Sequence, residues 1–286
     1  MQKEKTYKHK SKKSLGQNFL KSELALRKII EAGEIKSTDI ILEIGPGGGA
    51  LTEKLLEKSR CVIAVEKDRE LFEFLKIKFS KQIETNTLTL VCEDILNFNL
   101  QEILLKFFSG PRISGSLARP DRSKNLKEFP DYKIIANIPY NITGAILKKF
   151  LAAENQPESM VLMVQNEVAK RIMARDKKES ILSISVKAYG EPKMVMKVPA
   201  RYFSPRPKVD SAIIAIKNIS RKTFKESGIN EEKFWEIVKT GFAHKRKKLS
   251  GNLKTLKNGS LASVWSLGNK RAEDLSLEDW ILLIKN

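Results

Sequence analysis

The chain has 286 residues and carries 53 Lys+Arg against 34 Asp+Glu, a net charge of +19 and a pI near 9.8. That excess lies well beyond the net charge of about 2–8 that suffices for a small soluble domain, and it favours a polyanionic partner, nucleic acid first. Two cysteines exclude a disulfide scaffold and are too few for a structural zinc, no apolar stretch approaches the ~18 residues of a membrane span, and the amino terminus lacks an apolar signal core; the expectation is a cytoplasmic, metal-free protein that meets no membrane.

Met1 to Ser14 holds six lysines and one acid, Glu4, and reads as a disordered basic arm able to touch RNA phosphates, or else a solvated tail. Ile40 to Ile44 is a buried-strand pattern that leads into Gly45-Pro46-Gly47-Gly48-Gly49-Ala50 and a helical stretch from Leu51 to Lys58. A glycine-rich strand-to-helix turn lets a ligand approach the backbone closely. Cys61 to Glu66 is a second buried strand closed by a carboxylate, and Glu66 stands 66 − 45 = 21 residues past the first glycine, where it can grip both ribose hydroxyls of a nucleotide-like cofactor. Leu88 to Cys92 is a third strand and ends in Glu93-Asp94, which makes Asp94 an acceptor for the amino group of a cofactor adenine. Cys61 and Cys92 both read as small core residues.

Phe107 to Asp131 contains Gly110, Pro111, Gly115, Pro120 and Pro130 with little periodicity and reads as a surface insertion. Ile134-Ile135-Ala136 then delivers Asn137-Ile138-Pro139-Tyr140 to a strand end. The exocyclic amine of adenine is a poor nucleophile because its lone pair is delocalised into the ring, and two acceptors aimed at its N–H bonds favour the tetrahedral form that attacks. The Asn137 side-chain oxygen and a carbonyl near Ile138 are candidates for those acceptors; Pro139 stiffens the turn and Tyr140 offers a face for stacking. Taken alone, the tetrapeptide reads first as an ordinary strand-to-loop turn in which Asn and Pro do local turn work. The glycine loop alone is also ambiguous, since Gly45, Gly47 and Ala50 fit the pattern of a dinucleotide oxidoreductase. Glu43 two residues before the first glycine, Asp94, and the Asn137 to Tyr140 turn separate the two, because hydride transfer requires none of them. Together they describe an S-adenosylmethionine site facing an amine.

Val209 to Ile216 reads as a late strand, and the remainder reads as helical. His244-Lys245-Arg246-Lys247-Lys248 is expected to be a fixed basic patch that binds RNA, anchored from one face by Phe242, Leu249, Leu253 and Leu256. The last helix shows a capping box, Ser276 with Asp279, and an apolar stripe of Leu277, Trp280, Ile281 and Ile284. His9 and His244 do not make a catalytic pair. Methyl transfer needs no general base, because the product can lose its proton to water; positioning and hydrogen-bond acceptors suffice.

The ordered series Leu15 to Leu20, Glu43 to Thr52, Val65-Glu66, Glu93-Asp94, Asn137 to Tyr140, Val164 to Ala169 and Phe203 to Ala212 resembles the rRNA adenine N6,N6-dimethyltransferase family almost end to end. In that family the positions matching Asn18, Leu20, Gly45, Glu66, Asp94 and Asn137 contact the cofactor, and the resemblance implies the same role here, with Gly47 in the same loop. It implies that Asn137, Ile138, Pro139 and Tyr140 present the target adenine. Independently of the resemblance, Phe203 is a weaker candidate for the second face of the base, a plain core aromatic being its first reading. Gln165 to Ala169 is more like the small-subunit branch than the large-subunit, antibiotic-resistance branch. The segment Ile181 to Tyr189 alternates like a strand, but the resemblance implies a helix, which we adopt. The family is usually shorter at 107–131, a departure that bears on substrate access.

The expected architecture is α/β: a basic arm at 1–14, a Rossmann-like S-adenosylmethionine-dependent methyltransferase sheet over 15–218, and a smaller, all-helical RNA-binding domain over 219–286. The implied activity is dimethylation of N6 on two adjacent adenosines near the 3′ end of small-subunit rRNA, by a monomer acting on an assembling ribosomal particle. The rivals are a large-subunit rRNA methylase, a non-catalytic nucleic-acid-binding relative and, distantly, a dinucleotide oxidoreductase.

Overall fold

The computed structural model describes residues 12, 15–109, 129–254, 267 and 269–285. The expected basic arm apart from Lys12, most of the 107–131 insertion, and Leu256 therefore lie outside the described residues.

In chain order the elements are β1 (Phe19–Leu20), α1 (Glu23–Gly33), β2 (Ile40–Ile44), α2 (Ala50–Leu56), β3 (Cys61–Glu66), α3 (Arg69–Lys78), α4 (Ser80–Glu84), β4 (Leu88–Cys92), α5 (Leu100–Ser109), β5 (Lys133–Asn137), α6 (Thr143–Leu151), β6 (Ser159–Gln165), α7 (Asn166–Ile172), α8 (Ile181–Lys187), β7 (Glu191–Val198), β8 (Phe203–Ser204) and β9 (Ser211–Lys217). They are followed by α9 (Lys222–Ser227), α10 (Glu231–Gly241), α11 (Leu249–Leu253) and α12 (Leu277–Lys285).

Seven strands form one sheet in the order β4-β3-β2-β5-β6-β9-β7. The five strands β4, β3, β2, β5 and β6 run parallel, while β9 enters antiparallel between β6 and β7. Their side chains alternate between faces, and both faces are apolar. Ile40, Leu42, Ile44, Cys61, Ile63 and Val65 join one core cluster, whereas Ile41, Val62 and Ala64 join the other. A parallel sheet covered by helices on both sides requires this, so its strands read as continuous apolar runs. Chain order turns back between β2 and β5: β3 and β4 lie to one side of β2, β5 and β6 to the other. That is the switch point where open α/β sheets leave a crevice at the carboxyl ends of the strands.

Local signals set the helix boundaries. The Ser22 hydroxyl accepts from Ala25 N at 3.3 Å to start α1, which ends at Glu34 in a left-handed conformation, φ 44°. α8 confirms the helix at Ile181–Lys187: Ser180 and Ser183 form a reciprocal capping box, and this cap overrides the short alternating pattern. Ser276 and Asp279 make the expected box before α12, with Ser276 N donating to Asp279 Oδ2 and Asp279 N to the Ser276 hydroxyl.

After β9 every element among the described residues is helical. Phe224, Phe234, Ile237 and Trp280 from this segment join the same apolar cluster as one face of the sheet. Phe234 and Trp280 are fully buried, and each side chain of that size contributes about 1.5–3 kcal/mol through burial. Cys61 is buried as expected. Cys92 is not: it is exposed, at the carboxyl end of β4, where burial falls away from the fully buried Leu88 at the strand's start.

Candidate active site

The crevice at the switch point is a cleft of about 220 Å³ lined by Leu15 to Leu20, Glu43 to Gly48, Val65 to Lys67, Glu93 to Ile95 and Asn137 to Ile142. Asn18, Leu20, Gly45, Gly47, Glu66, Asp94, Asn137, Ile138, Pro139 and Tyr140 all line it, brought together from the ends of four parallel strands and from the amino-terminal segment.

The glycine loop follows β2. Gly47 has φ +58°, and a Cβ there would meet the Phe19 ring at 3.0 Å; Gly49, φ +80°, would meet Phe79 at 2.6 Å. Side chains at either position would be strained, and the one at Gly47 would crowd the cleft wall at Phe19 while the one at Gly49 would drive into the core. Glu66, at the end of β3, is 5% exposed, and its carboxylate braces the loop: Oε2 accepts from Gly47 N at 3.1 Å and Oε1 from Asp68 N at 2.8 Å. Burial raises its pKa, and those two amides pull the other way. Each oxygen keeps a further lone pair, so the bracing leaves acceptor capacity toward the cleft.

Glu43 lies under the loop at 1% exposure, and its Oε2 has no hydrogen-bond partner among the described residues. Burial pushes its pKa up to about 8, offset in part by the neighbouring Thr52 hydroxyl and reinforced by the Glu66 charge. Asp94 behaves oppositely. Lys67 Nζ donates to its Oδ2 at 2.8 Å and Leu96 N to its Oδ1 at 3.0 Å, and the lysine contact leads in holding its pKa below the usual carboxylate range.

Asn137 ends β5, and its Nδ2 donates to the Asn18 carbonyl at 3.1 Å. That contact fixes the amide so that Oδ1 is the acceptor left for a ligand. Ile138 is buried in the core beneath. Pro139 opens a 3₁₀ turn over Tyr140–Ile142, and the half-buried Tyr140 hydroxyl shares a short hydrogen bond with Ser211 of β9. Burial pushes the Tyr140 pKa up, partly countered by Ser211.

Phe203 does not line the cleft. It is 4% exposed, pairs with Leu20 across β1 and β8, and packs in the second core cluster, so it sits as a core aromatic. Lys245, Arg246, Lys247 and Lys248 are all exposed; Leu249 and Leu253 beside them are buried, and Phe242 packs on Trp280 with ring centroids 5.6 Å apart. Asn252 Nδ2 donates to the Gly241 and His244 carbonyls at 2.6 and 3.2 Å, which folds the chain back and presents the cations outward. Not anticipated was the set Lys12, Gln17 and Asp68 at one end of the cleft. An acidic residue directly before a helix and two places after Glu66 was the only sequence signal for it.

No helix among the described residues is long and apolar enough to cross a membrane.

The family model described as ribosomal RNA adenine dimethylase matches residues 8–286. The Ribosomal RNA small subunit methyltransferase A of Dehalococcoides mccartyi (strain CBDB1) is 40% identical over 281 residues, covering 96% of this chain and 87% of that protein. The protein of the same name from Fusobacterium nucleatum subsp. nucleatum is 37% identical over 285 residues, covering 96% and 97%. Among solved structures, a dimethyladenosine transferase from Plasmodium falciparum superposes with a TM-score of 0.69 at 25% identity, covering 93% of this chain and 95% of that one. The 23S rRNA methyltransferase ErmE shares the fold, with a TM-score of 0.68 at 24% identity and coverage of 94% and 98%.

Proposed function

The chain belongs to the ribosomal RNA adenine dimethylase family, and from that premise we propose that it transfers methyl groups from S-adenosylmethionine to N6 of two adjacent adenosines near the 3′ end of small-subunit rRNA, giving N6,N6-dimethyladenosine during small-subunit assembly. The curated relatives named as small-subunit methyltransferases support this target over the large subunit. Membership in the family also speaks against the dinucleotide oxidoreductase, whose glycine pattern the loop shares.

The residues present fit the cofactor. The loop cradle would be filled by any Cβ at Gly47, and the buried Glu43 Oε2 and the Glu66 carboxylate offer acceptors beside it. Gly45 and Gly47 in the loop and Asn18 and Leu20 in the Leu15–Leu20 strap that walls the cleft would hold it, Glu66 would take the ribose, and Asp94 the adenine amino group. When bound, S-adenosylmethionine supplies an electrophilic methyl group on a sulfonium. Every other requirement falls on the chain. Asn137 Oδ1 accepts from one N–H of the target amine, and the carbonyl at Ile138 from the other, which draws the nitrogen lone pair out of conjugation. Pro139 keeps that turn rigid and Tyr140 clamps the base by stacking. The proton leaves to water after transfer, so rate enhancement rests on orientation and preorganised acceptors.

The observation that carries this reading is the Asn137 amide, pinned through Nδ2 with its Oδ1 left at the strand end that faces the loop carboxylates. We assign Lys245 to Lys248, on the helical segment, to the RNA backbone, and the enzyme to action as a cytoplasmic monomer. Mass spectrometry of both rRNA subunits from cells with and without the gene tests the proposal. Loss of dimethyladenosine from the small subunit is expected; loss confined to the large subunit, or no loss, overturns it.

A further inference from the structure

The segment from Leu15 to Leu20 forms one wall of the cleft, and its two ends are held by different means. At the downstream end, Phe19–Leu20 pairs antiparallel with Phe203–Ser204, two residues on each strand. At the upstream end the hold is polar. Lys12 Nζ donates to Asp68 Oδ1 at 2.8 Å and to Glu70 Oε1 at 3.0 Å, Gln17 Nε2 donates to Asp68 Oδ2 at 2.8 Å, and Lys12 N donates to Gln17 Oε1 at 2.7 Å. The Asp68 side chain is fully buried, whereas Lys12 is 38% exposed.

This cluster reaches both halves of the site. The backbone N–H of Asp68 donates to Glu66 Oε1, the carboxylate that braces the glycine loop. Between the two ends of the strap, the Asn18 carbonyl receives Asn137 Nδ2. Displacing the strap would remove the acceptor that orients the Asn137 amide and would also take donors from both Asp68 oxygens. Glu70 N, outside the strap, still donates to Oδ1 at 3.0 Å, but a buried carboxylate that loses the strap's donors is left short of hydrogen bonds, so the strap is either closed on Asp68 or open with water in its place. A two-residue strand pair is too short to hold the strap shut alone. The partly solvated Lys12 ion pair is weak enough to release and re-form.

We propose that Lys12, Gln17 and Asp68 form a latch that holds the strap closed over the cofactor cleft, so that its opening sets how fast the cofactor leaves. Gln17 and Asp68 act as positioning residues, through Asn18 on Asn137 and through the Asp68 amide on Glu66. The cofactor's identity rests on the function proposed above; the latch itself does not.

The test uses the full chain with Lys12→Met, Lys12→Arg and Asp68→Asn. Asparagine can still cap α3 through its one oxygen and keeps the backbone amide on Glu66, so that variant removes the charge and the acceptor for Gln17 Nε2 while leaving the cap and the Glu66 contact. Hydrogen exchange at residues 15–18 is measured without ligand, and S-adenosylmethionine dissociation by stopped flow. Lys12→Met and Asp68→Asn should each speed exchange and cofactor release by roughly two- to fivefold, as expected when a lid is deprived of a partly solvated closing ion pair. Lys12→Arg should restore both. Unchanged exchange overturns the latch, and so does faster exchange with unchanged release, or faster release with unchanged exchange. If the parent protein binds no S-adenosylmethionine, the proposed function fails, while the exchange measurement still decides the latch.

Discussion

Asn137 Nδ2 donates to the carbonyl of Asn18 at 3.1 Å, across 119 positions of sequence. The hydrogen bond joins the end of β5 to the amino-terminal strap and determines which atom of the amide faces the cleft. With the nitrogen committed to a carbonyl, the oxygen is the acceptor left to the cleft, which is the polarity the proposed role toward an amine demands.

Asn137→Ala should therefore slow methyl transfer far more than it weakens RNA binding. Removal of one preorganised hydrogen-bonding group at a reacting centre typically costs about 10²–10³ in rate. Single-turnover methylation at saturating cofactor and RNA measures it, and a near-normal rate would remove Asn137 from the chemistry.

Glu66→Ala should weaken S-adenosylmethionine binding by roughly 10- to 100-fold, the worth of about 1.5–3 kcal/mol for hydrogen bonds to a charged group. The substitution also strips the acceptor from Gly47 N and Asp68 N. RNA affinity should hold, since the proposal gives this buried carboxylate a role toward the cofactor alone. Calorimetry on the folded variant decides; unchanged cofactor affinity would sink the assignment.

Glu43 makes the fold pH-dependent in an unusual direction. Its folded pKa, about 8, lies above the ordinary value of 4.5, so between those values the unfolded chain is ionised while the folded chain keeps its proton. The unfolded state then binds fewer protons, and stability falls by up to about 1.4 kcal/mol per pH unit as pH rises through this window. Its contribution is fully present below the unfolded pKa. Glu43→Gln removes the dependence, so urea melts at pH 5, 6.5 and 8 should show the variant gaining on the parent as pH rises. A constant difference across the three would contradict a neutral Glu43.

Tyr140→Ala should remove a stacking interaction worth about 1–3 kcal/mol while leaving the salt dependence of RNA binding intact. Tyr140→Phe keeps the ring and loses only the hydrogen bond to Ser211, so its turnover should stay close to the parent's. Equal losses in the two variants would point to the hydroxyl instead of the ring.

Neutralising Lys245, Arg246, Lys247 and Lys248 together should weaken RNA binding and flatten the slope of log affinity against log salt by about 0.7–0.9 for each phosphate no longer neutralised. Cofactor affinity should not change. A parental salt slope in the quadruple variant would leave that run a solvated face and move the RNA surface elsewhere.

The amino-acid sequence by itself determined most of the elements, Ile181 to Lys187 excepted, whose alternation reads as a strand although it is helical. Buried runs such as Ile40 to Ile44 and Cys61 to Glu66 are legible because a parallel sheet covered on both faces needs uninterrupted apolar strands, and the glycine loop, Glu66, Asp94 and Asn137 follow directly from where those strands stop. Caps are legible for the same reason: Ser276 and Asp279 are three residues apart, and their bonds are local. Tertiary structure decided whatever depends on distant partners. Phe203 is buried because β8 pairs with β1, and Cys92 is exposed at the end of β4 although Leu88 of the same strand is buried, which no local pattern reveals. The bond from Asn137 to Asn18 and the convergence of Lys12 and Gln17 on Asp68 arise only once the strap lies against the rim of the sheet. Periodicity reports which face of an element is apolar; it carries no information about which remote polar group that face will meet.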